Sequence, residues 1–282
     1  MALSSSEGGP IAPGLTRMGV RPSVPDYLAQ LWGRREFALL VPLGELRQRN
    51  MNTVLGSLWH ILNPLFQSAI YYFLFGVVLD TRGGIENYAI WLIVGLITFT
   101  FTQKIIASSS GIIAQRVAML RTLNFPAGIL PISVTLGELF AHGPALLVML
   151  AIVSTAYAPS VAWFLLVPIV ALQILFSLGL GFVVARMTVH FHDFSQLLGH
   201  LLKMWLLASG VMFPFENAPP GFVRDLLEAN PGYLFIRLTR DALFEGSVDP
   251  AFLMPALLWA FGTFFVGFTF FHRYEGRYSN AV

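Results

Sequence analysis

No cysteine occurs among the 282 residues, which removes disulfides, thiolate metal sites and cysteine nucleophiles from the chemistry open to the chain. Charge is scarce too. Asp, Glu, Lys and Arg together make up 11% of the sequence, against roughly a quarter in a soluble domain, and that shortfall excludes an ordinary cytosolic fold. The lysines are Lys104 and Lys203, preceded by Gln103 and Leu202. A G-x-x-x-x-G-K-[ST] phosphate loop is therefore missing, and the chain does not bind ATP by that route. Basic residues are spread along the chain and leave a net charge of only +2, which gives nucleic-acid binding no footing. No D-x-D or H-x-x-x-x-D pattern is present, which weighs against a membrane transferase that processes polyprenyl lipids. Residues 1–25 are rich in Ser, Gly and Pro and lack a continuous apolar stretch. They are expected to be a leader without a cleavable signal peptide, ahead of one membrane domain over residues 26–282.

What the chain has in abundance is apolar sequence, 56% of all residues. Six runs are long enough to cross about 30 Å of hydrocarbon at about 1.5 Å per residue: Leu58–Leu79, Tyr88–Ser108, Pro131–Tyr157, Val161–Met187, Gln196–Phe213 and Phe252–His272. Before them, Asp26–Val41 carries Leu28, Leu31, Trp32, Leu39 and Leu40 among Arg34, Arg35 and Glu36, the pattern of an amphipathic interfacial helix. Pro42 is expected to break it, with a second short stretch over Leu43–Asn52. The connection Pro214–Ala251 holds two short helical patterns, Phe222–Ala229 and Tyr233–Phe244, separated by Asn230-Pro231. Pieces this short and apolar predict a hairpin that dips into the outer leaflet. The fold class is thus an all-α integral membrane protein of six transmembrane helices, with an N-terminal interfacial helix and an exterior re-entrant hairpin between spans five and six.

Arginines set the orientation. Arg17, Arg21, Arg34, Arg35, Arg47, Arg49, Arg116, Arg121, Arg186, Arg273 and Arg277 flank one side, against Arg82, Arg224, Arg237 and Arg240 on the other. By the positive-inside rule both termini are cytoplasmic.

Polar groups within spans are costly unless paired or facing water, so their positions carry information. In the first span His60, Asn63, Gln67 and Tyr71 recur at steps of three and four, behind Trp59, and share one face. In the second, Trp91, Gly95, Thr98, Thr102 and Ser109 do the same, and the fifth adds Gln196, His200 and Lys203. Such stripes serve either as a lining for a polar path or as contacts between helices. We assign Gln173, Ser177 and Gly181 of the fourth span to helix contacts. As candidate path residues we take Trp59, His60, Asn63, Gln67, Tyr71, Trp91, Thr98, Thr102 and His200. Glu138, with His142 one turn on, is the acid deepest in a span and reads as a structural pair more readily than as a proton relay. A secondary transporter is disfavoured, since no repeated pair of broken helices is evident. His190, His192 and Asp193 fit neither a helical i,i+4 pair nor H-E-x-x-H, and no metal site is expected there. No catalytic residue is expected at all.

Three stretches resemble a known family. Val54-Leu55-Gly56-Ser57-Leu58-Trp59 with Asn63-Pro64-Leu65, then Phe125-Pro126 with Ile129-Leu130-Pro131, then Asn230-Pro231 with Arg240 are similar, in that order, to segments of the type-2 ABC transporter permeases of the polysaccharide-export group, the Wzm, TagG and KpsM group. Two departures are visible: the basic pair before Phe125-Pro126 is reduced to Arg121, and His192-Asp193 stands where Arg-Asp is common. The resemblance implies a homodimer in the bacterial cytoplasmic membrane, served by two copies of a separate ATP-binding cassette subunit that holds the ATP and Mg. No cofactor is expected in this chain. It implies a lipid-linked glycan as cargo, of the O-antigen, teichoic acid or galactan type, and the leader with the arginine content suggests an actinobacterial cell-wall galactan. A drug or small-lipid exporter of the same fold is the alternative, since fold does not fix cargo. The resemblance also implies a coupling helix over Ala114–Asn124, with Arg116, Arg121, Asn124, Phe125 and Pro126 meeting the ATPase.

Overall fold

A computed structural model describes residues 24–51, 55–80, 82–123, 126–191, 193–215 and 221–274. Every regular element among them is helical, as lipid requires of any chain that does not close a barrel. Five helices are long and apolar enough to cross a membrane: Trp59–Val78, Tyr88–Ser109, Ile129–Val153, Val161–His190 and Pro250–Arg273. We label their α-helical parts α3 (Trp59–Tyr71), α4 (Tyr88–Ser109), α7 (Ile129–Val153), α8 (Leu166–His190) and α12 (Pro250–Arg273). α3 continues as a wider π turn over Tyr72–Val78.

The fifth of the six expected spans is shorter than its apolar run. Its helix, α9, covers Phe194–Leu207, about 21 Å at 1.5 Å per residue, less than the ~30 Å of a hydrocarbon layer. The chain then turns at Gly210, whose φ of +63° suits glycine best, and Val211, Met212 and Phe215 are buried. An apolar run cannot reveal such a turn, because the residues that fold back are as apolar as those that would continue.

Two N-terminal helices precede the spans, α1 (Val24–Gly33) and α2 (Arg35–Met51). The expected break at Pro42 is not there: α2 runs through it, and the interruption falls at Arg34. A proline inside a helix loses one backbone bond. Here its ring packs on α7 where Gly137 offers no side chain, and a Cβ at Gly137 would lie 2.9 Å from that of Pro42. The short helices α5 (Ile112–Gln115) and α6 (Val117–Leu123) link α4 to α7. Tyr27, Leu31 and Ala38 of the N-terminal pair share one buried cluster with Ile112, Ile113, Leu120 and Phe182.

α8 and α12 meet backbone to backbone. A Cβ at Gly179 would lie 2.6 Å from the backbone of Thr263 and Phe264, and one at Gly267 would strike the Gly179 carbonyl. Small residues let backbones approach in this way where the hydrophobic effect supplies no net attraction between helices. Between α9 and α12 sit α10 (Phe222–Glu228) and α11 (Pro231–Arg240), followed by a π turn over Asp241–Glu245. Asn230 starts α11, its side chain accepting from the Gly232 amide at 2.9 Å with proline at the first helical position, a favoured combination. α11 is buried over Gly232–Ile236 and Leu238–Arg240, wedged between α4 and α12.

Candidate functional site

The stripe on α4 closes onto α8. Gln173 Nε2 donates to the Thr98 carbonyl at 2.7 Å and to the Thr102 hydroxyl at 2.9 Å, and Ser177 donates to Thr102 at 3.1 Å. A Cβ at Gly181 would sit 2.8 Å from Ser109 Oγ. Thr98 and Thr102 are buried, so these residues join two helices of one chain.

Above them lies a second polar knot. The Arg240 guanidinium stacks on the Trp91 ring, 3.3 Å from its centroid. It also donates to the carbonyls of Gly210 at 2.9 Å, Trp91 at 3.1 Å and Val211 at 3.2 Å. Gly210 and Val211 belong to the irregular segment after α9. A buried cation on α11 thus supplies donors to backbone carbonyls outside a regular helix. Asn230 completes the knot. It accepts from Trp205 Nε1 at 2.7 Å and donates to the Ala208 carbonyl at 2.6 Å. Beyond Arg240, Asp241 pairs with Arg237 at 2.8 Å. Burial pushes the Asp241 carboxyl up from the usual 3.8 to about 6, although the Arg237 charge pulls the other way.

The stripe on α3 is the other candidate. Trp59 and Asn63 are exposed, and His60, Gln67 and Tyr71 are half-buried, with Gln67 Nε2 donating to the Tyr71 hydroxyl at 3.3 Å. The helix buries Pro64 and Ser68 instead. Trp59 and Asn63 thus face outward from α3, while Tyr71 packs against the buried cluster of Leu96, Phe99 and Ile236. The structure places Trp91, Thr98 and Thr102 in contacts within the chain, and His200 exposed on α9.

At the other end of the bundle, Arg116 between α5 and α6 forms an ion pair with Glu45 of α2. This pair borders a cavity of about 230 Å³ also lined by Phe37, Ser108, Ser133 and Glu138. Ser108 donates to Glu138 at 2.7 Å, and His142 stacks on Phe101, ring centroids 4.7 Å apart. The Tyr27 hydroxyl accepts from the Gly128 amide at 3.1 Å. Pro126 is buried, whereas Asn124, Phe125 and the Arg121 side chain lie outside the described residues, as does His192. The ring of His190 rests on the Arg186 guanidinium, 2.9 Å from Nδ1 to Nη1. Sequence reasoning missed Glu45 and Tyr27. Glu45 stands out only as a lone acid on a basic stretch, and Tyr27 carries no signal beyond its place among apolar neighbours.

The sequence profile of the ABC-2 type transporter family matches residues 43–244, which include α3 to α11. The chain belongs to the ABC-2 type transporter family. This ABC-2 chain is similar to the O-antigen export system permease protein RfbA of Myxococcus xanthus, 28% identical over 246 residues, 84% of this chain and 94% of that protein. RfbA of Klebsiella pneumoniae is 24% identical over 250 residues, covering 87% and 95%. The polysialic acid transport protein KpsM of Escherichia coli is 25% identical over 236 residues, covering 83% and 91%. An ABC-2 chain with several apolar helices is membrane-embedded, and its relatives move polysaccharides.

Proposed function

We propose that the chain is the transmembrane subunit of an ATP-driven exporter that carries a lipid-linked polysaccharide across the cytoplasmic membrane. One observation carries this: relatives that align with it over more than nine-tenths of their own length are permeases for O-antigen and polysialic acid. ATP hydrolysis falls to a separate nucleotide-binding subunit. Two copies of this chain form the path, with both termini cytoplasmic by the arginine asymmetry.

In this reading α9 and the turn at 208–215 make the fifth crossing together, and α10–α11 is re-entrant. The contact between Trp259 Nε1 and the Ala229 carbonyl, at 3.0 Å, supports it. Trp259 lies nine residues into α12, about 14 Å from its start, so α11 begins well below the level at which α12 enters. The irregular backbone at that depth is shielded by protein and by Arg240, the condition under which it is tolerated.

The path runs along α3. Asn63 and Trp59 are exposed in a membrane-spanning helix, where an amide facing lipid is costly, so a second copy or a polar lumen must cover them. Aromatic faces suit sugar CH groups and amides suit sugar hydroxyls. Thr98 and Thr102 are left out of this lining because their hydroxyl and carbonyl groups are already taken by α8. Residues 114–124 dock on the ATP-binding subunit. Depletion of the chain tests the function: lipid-linked glycan should accumulate on the cytoplasmic face, and a strain whose surface glycan and lipid-linked pool are unchanged would reject it.

A further inference from the structure

Arg116 was expected to face the ATPase, yet it is engaged within the chain by Glu45. The two N-terminal helices are fastened to the segment between α4 and α7, or to α7 itself, at three further places. Tyr27 of α1 accepts from Gly128 at 3.1 Å. Leu31 and Ala38 are buried in one cluster with Ile112, Ile113 and Leu120. Pro42 of α2 fills the place left open by Gly137 on α7. A cavity of about 230 Å³ lies between the stretch of α2 from Phe37 to Glu45 and the facing parts of α4 and α7. The Glu45–Arg116 pair forms part of its wall. It is only partly screened, with side-chain exposures of 36% and 30%, so charge can hold where packing does not.

We propose that Glu45 is a positioning residue for transport: by holding Arg116 it makes α2 move with α5 and α6, so that a displacement imposed there reaches α7 through Pro42 and Gly137. This rests on the reading that residues 114–124 dock on the ATP-binding subunit. Without the pair, a push on α6 would be absorbed by closing the cavity. With it, α2 and α7 follow as one body, and α7 carries Glu138 bonded to Ser108 of α4. ATP hydrolysis would still proceed in the unlinked protein, but less of it would end in export.

The test uses the full complex in proteoliposomes and reads glycan exported per ATP hydrolysed. Glu45→Arg and Arg116→Glu should each lower that ratio at least about tenfold while the complex still assembles, and the double swap should return it to within about threefold of the parent. A purely structural role would lower assembly and leave the ratio alone. A parental ratio in Glu45→Arg, or a double swap no better than the worse single change, overturns the proposal. Should a reversal prevent folding, the cysteine-free chain permits Glu45→Cys with Arg116→Cys, joined by a short bifunctional thiol reagent. Retained export after joining is expected, and arrest by joining overturns the proposal, because the two sites would then have to separate. Docking is scored independently by cross-linking Ala118→Cys on α6 to the ATP-binding subunit. No cross-link removes the docking reading and this proposal with it, whereas an intact cross-link with a failed swap removes this proposal alone.

Discussion

Replacing Arg240 by Met keeps most of the stem and removes the guanidinium, which isolates what the cation does. In the folded chain that group meets three carbonyls and the face of Trp91. The stack contributes about 2 kcal/mol when desolvated. Hydrogen bonds from a charged donor contribute about 1.5–3 kcal/mol each in soluble proteins, but interhelical bonds in membranes average nearer 0.6 kcal/mol. Taking the lower figure for the three bonds and adding the stack gives a loss of about 4 kcal/mol. Arg240→Lys keeps the charge but not the fork, and a single ammonium cannot serve three carbonyls and a ring, so about half of that loss should remain. Unfolding of the purified chain in lipid discs by a graded denaturing detergent, followed by tryptophan fluorescence, reads the difference. In a double-mutant cycle Trp91→Leu should add about 2 kcal/mol less in the Arg240→Met background than in the parent. An Arg240→Met chain within about 0.5 kcal/mol of the parent, the scatter of a neutral substitution, would refute the view that this cation holds the broken end of α9 in place.

Three further outcomes follow from the geometry. Gly267→Ala should cost about 1–3 kcal/mol by overpacking, because the new methyl meets backbone of α8, while Gly262→Ala, where a Cβ meets nothing within 4 Å, should be neutral in the same assay. Asp241, with a folded value of about 6 against the ordinary 3.8, keeps its proton in the folded chain after the unfolded chain has lost it. Stability should therefore fall as pH rises through that window and level off above it, and melting curves of Asp241→Asn should lack that fall. Gln67→Trp or Asn63→Trp should block export at normal dimer yield, with Ala at the same positions tolerated; normal export by the Trp variants would remove α3 from the path.

Much of the architecture was legible in the residues. Run length and the cost of bare backbone in lipid located five spans to within a few residues, and Asn230-Pro231 separated the two short helices, although α11 begins at Pro231 and not at Tyr233 because Asn230 caps it. Other features were not legible, because the deciding partner is distant in sequence. Pro42 reads as a break until Gly137 is placed against it, and the turn at Gly210 is hidden in apolar sequence until Arg240 supplies donors for its carbonyls. Thr98 and Thr102 look like a lining until Gln173 and Ser177 claim them. Glu45 went unnoticed because an acid at a membrane surface is ordinary until its partner is known.

Transport of a lipid-linked glycan by this chain and an ATP-binding subunit is tested directly with both proteins purified and reconstituted into vesicles loaded on the ATPase side with lipid-linked glycan extracted from the depletion strain. ATP and Mg should expose the glycan on the opposite face, as scored by an impermeant lectin or glycosidase, and vesicles lacking this chain should not. Equal exposure with and without ATP, or with the ATP-binding subunit alone, would contradict it.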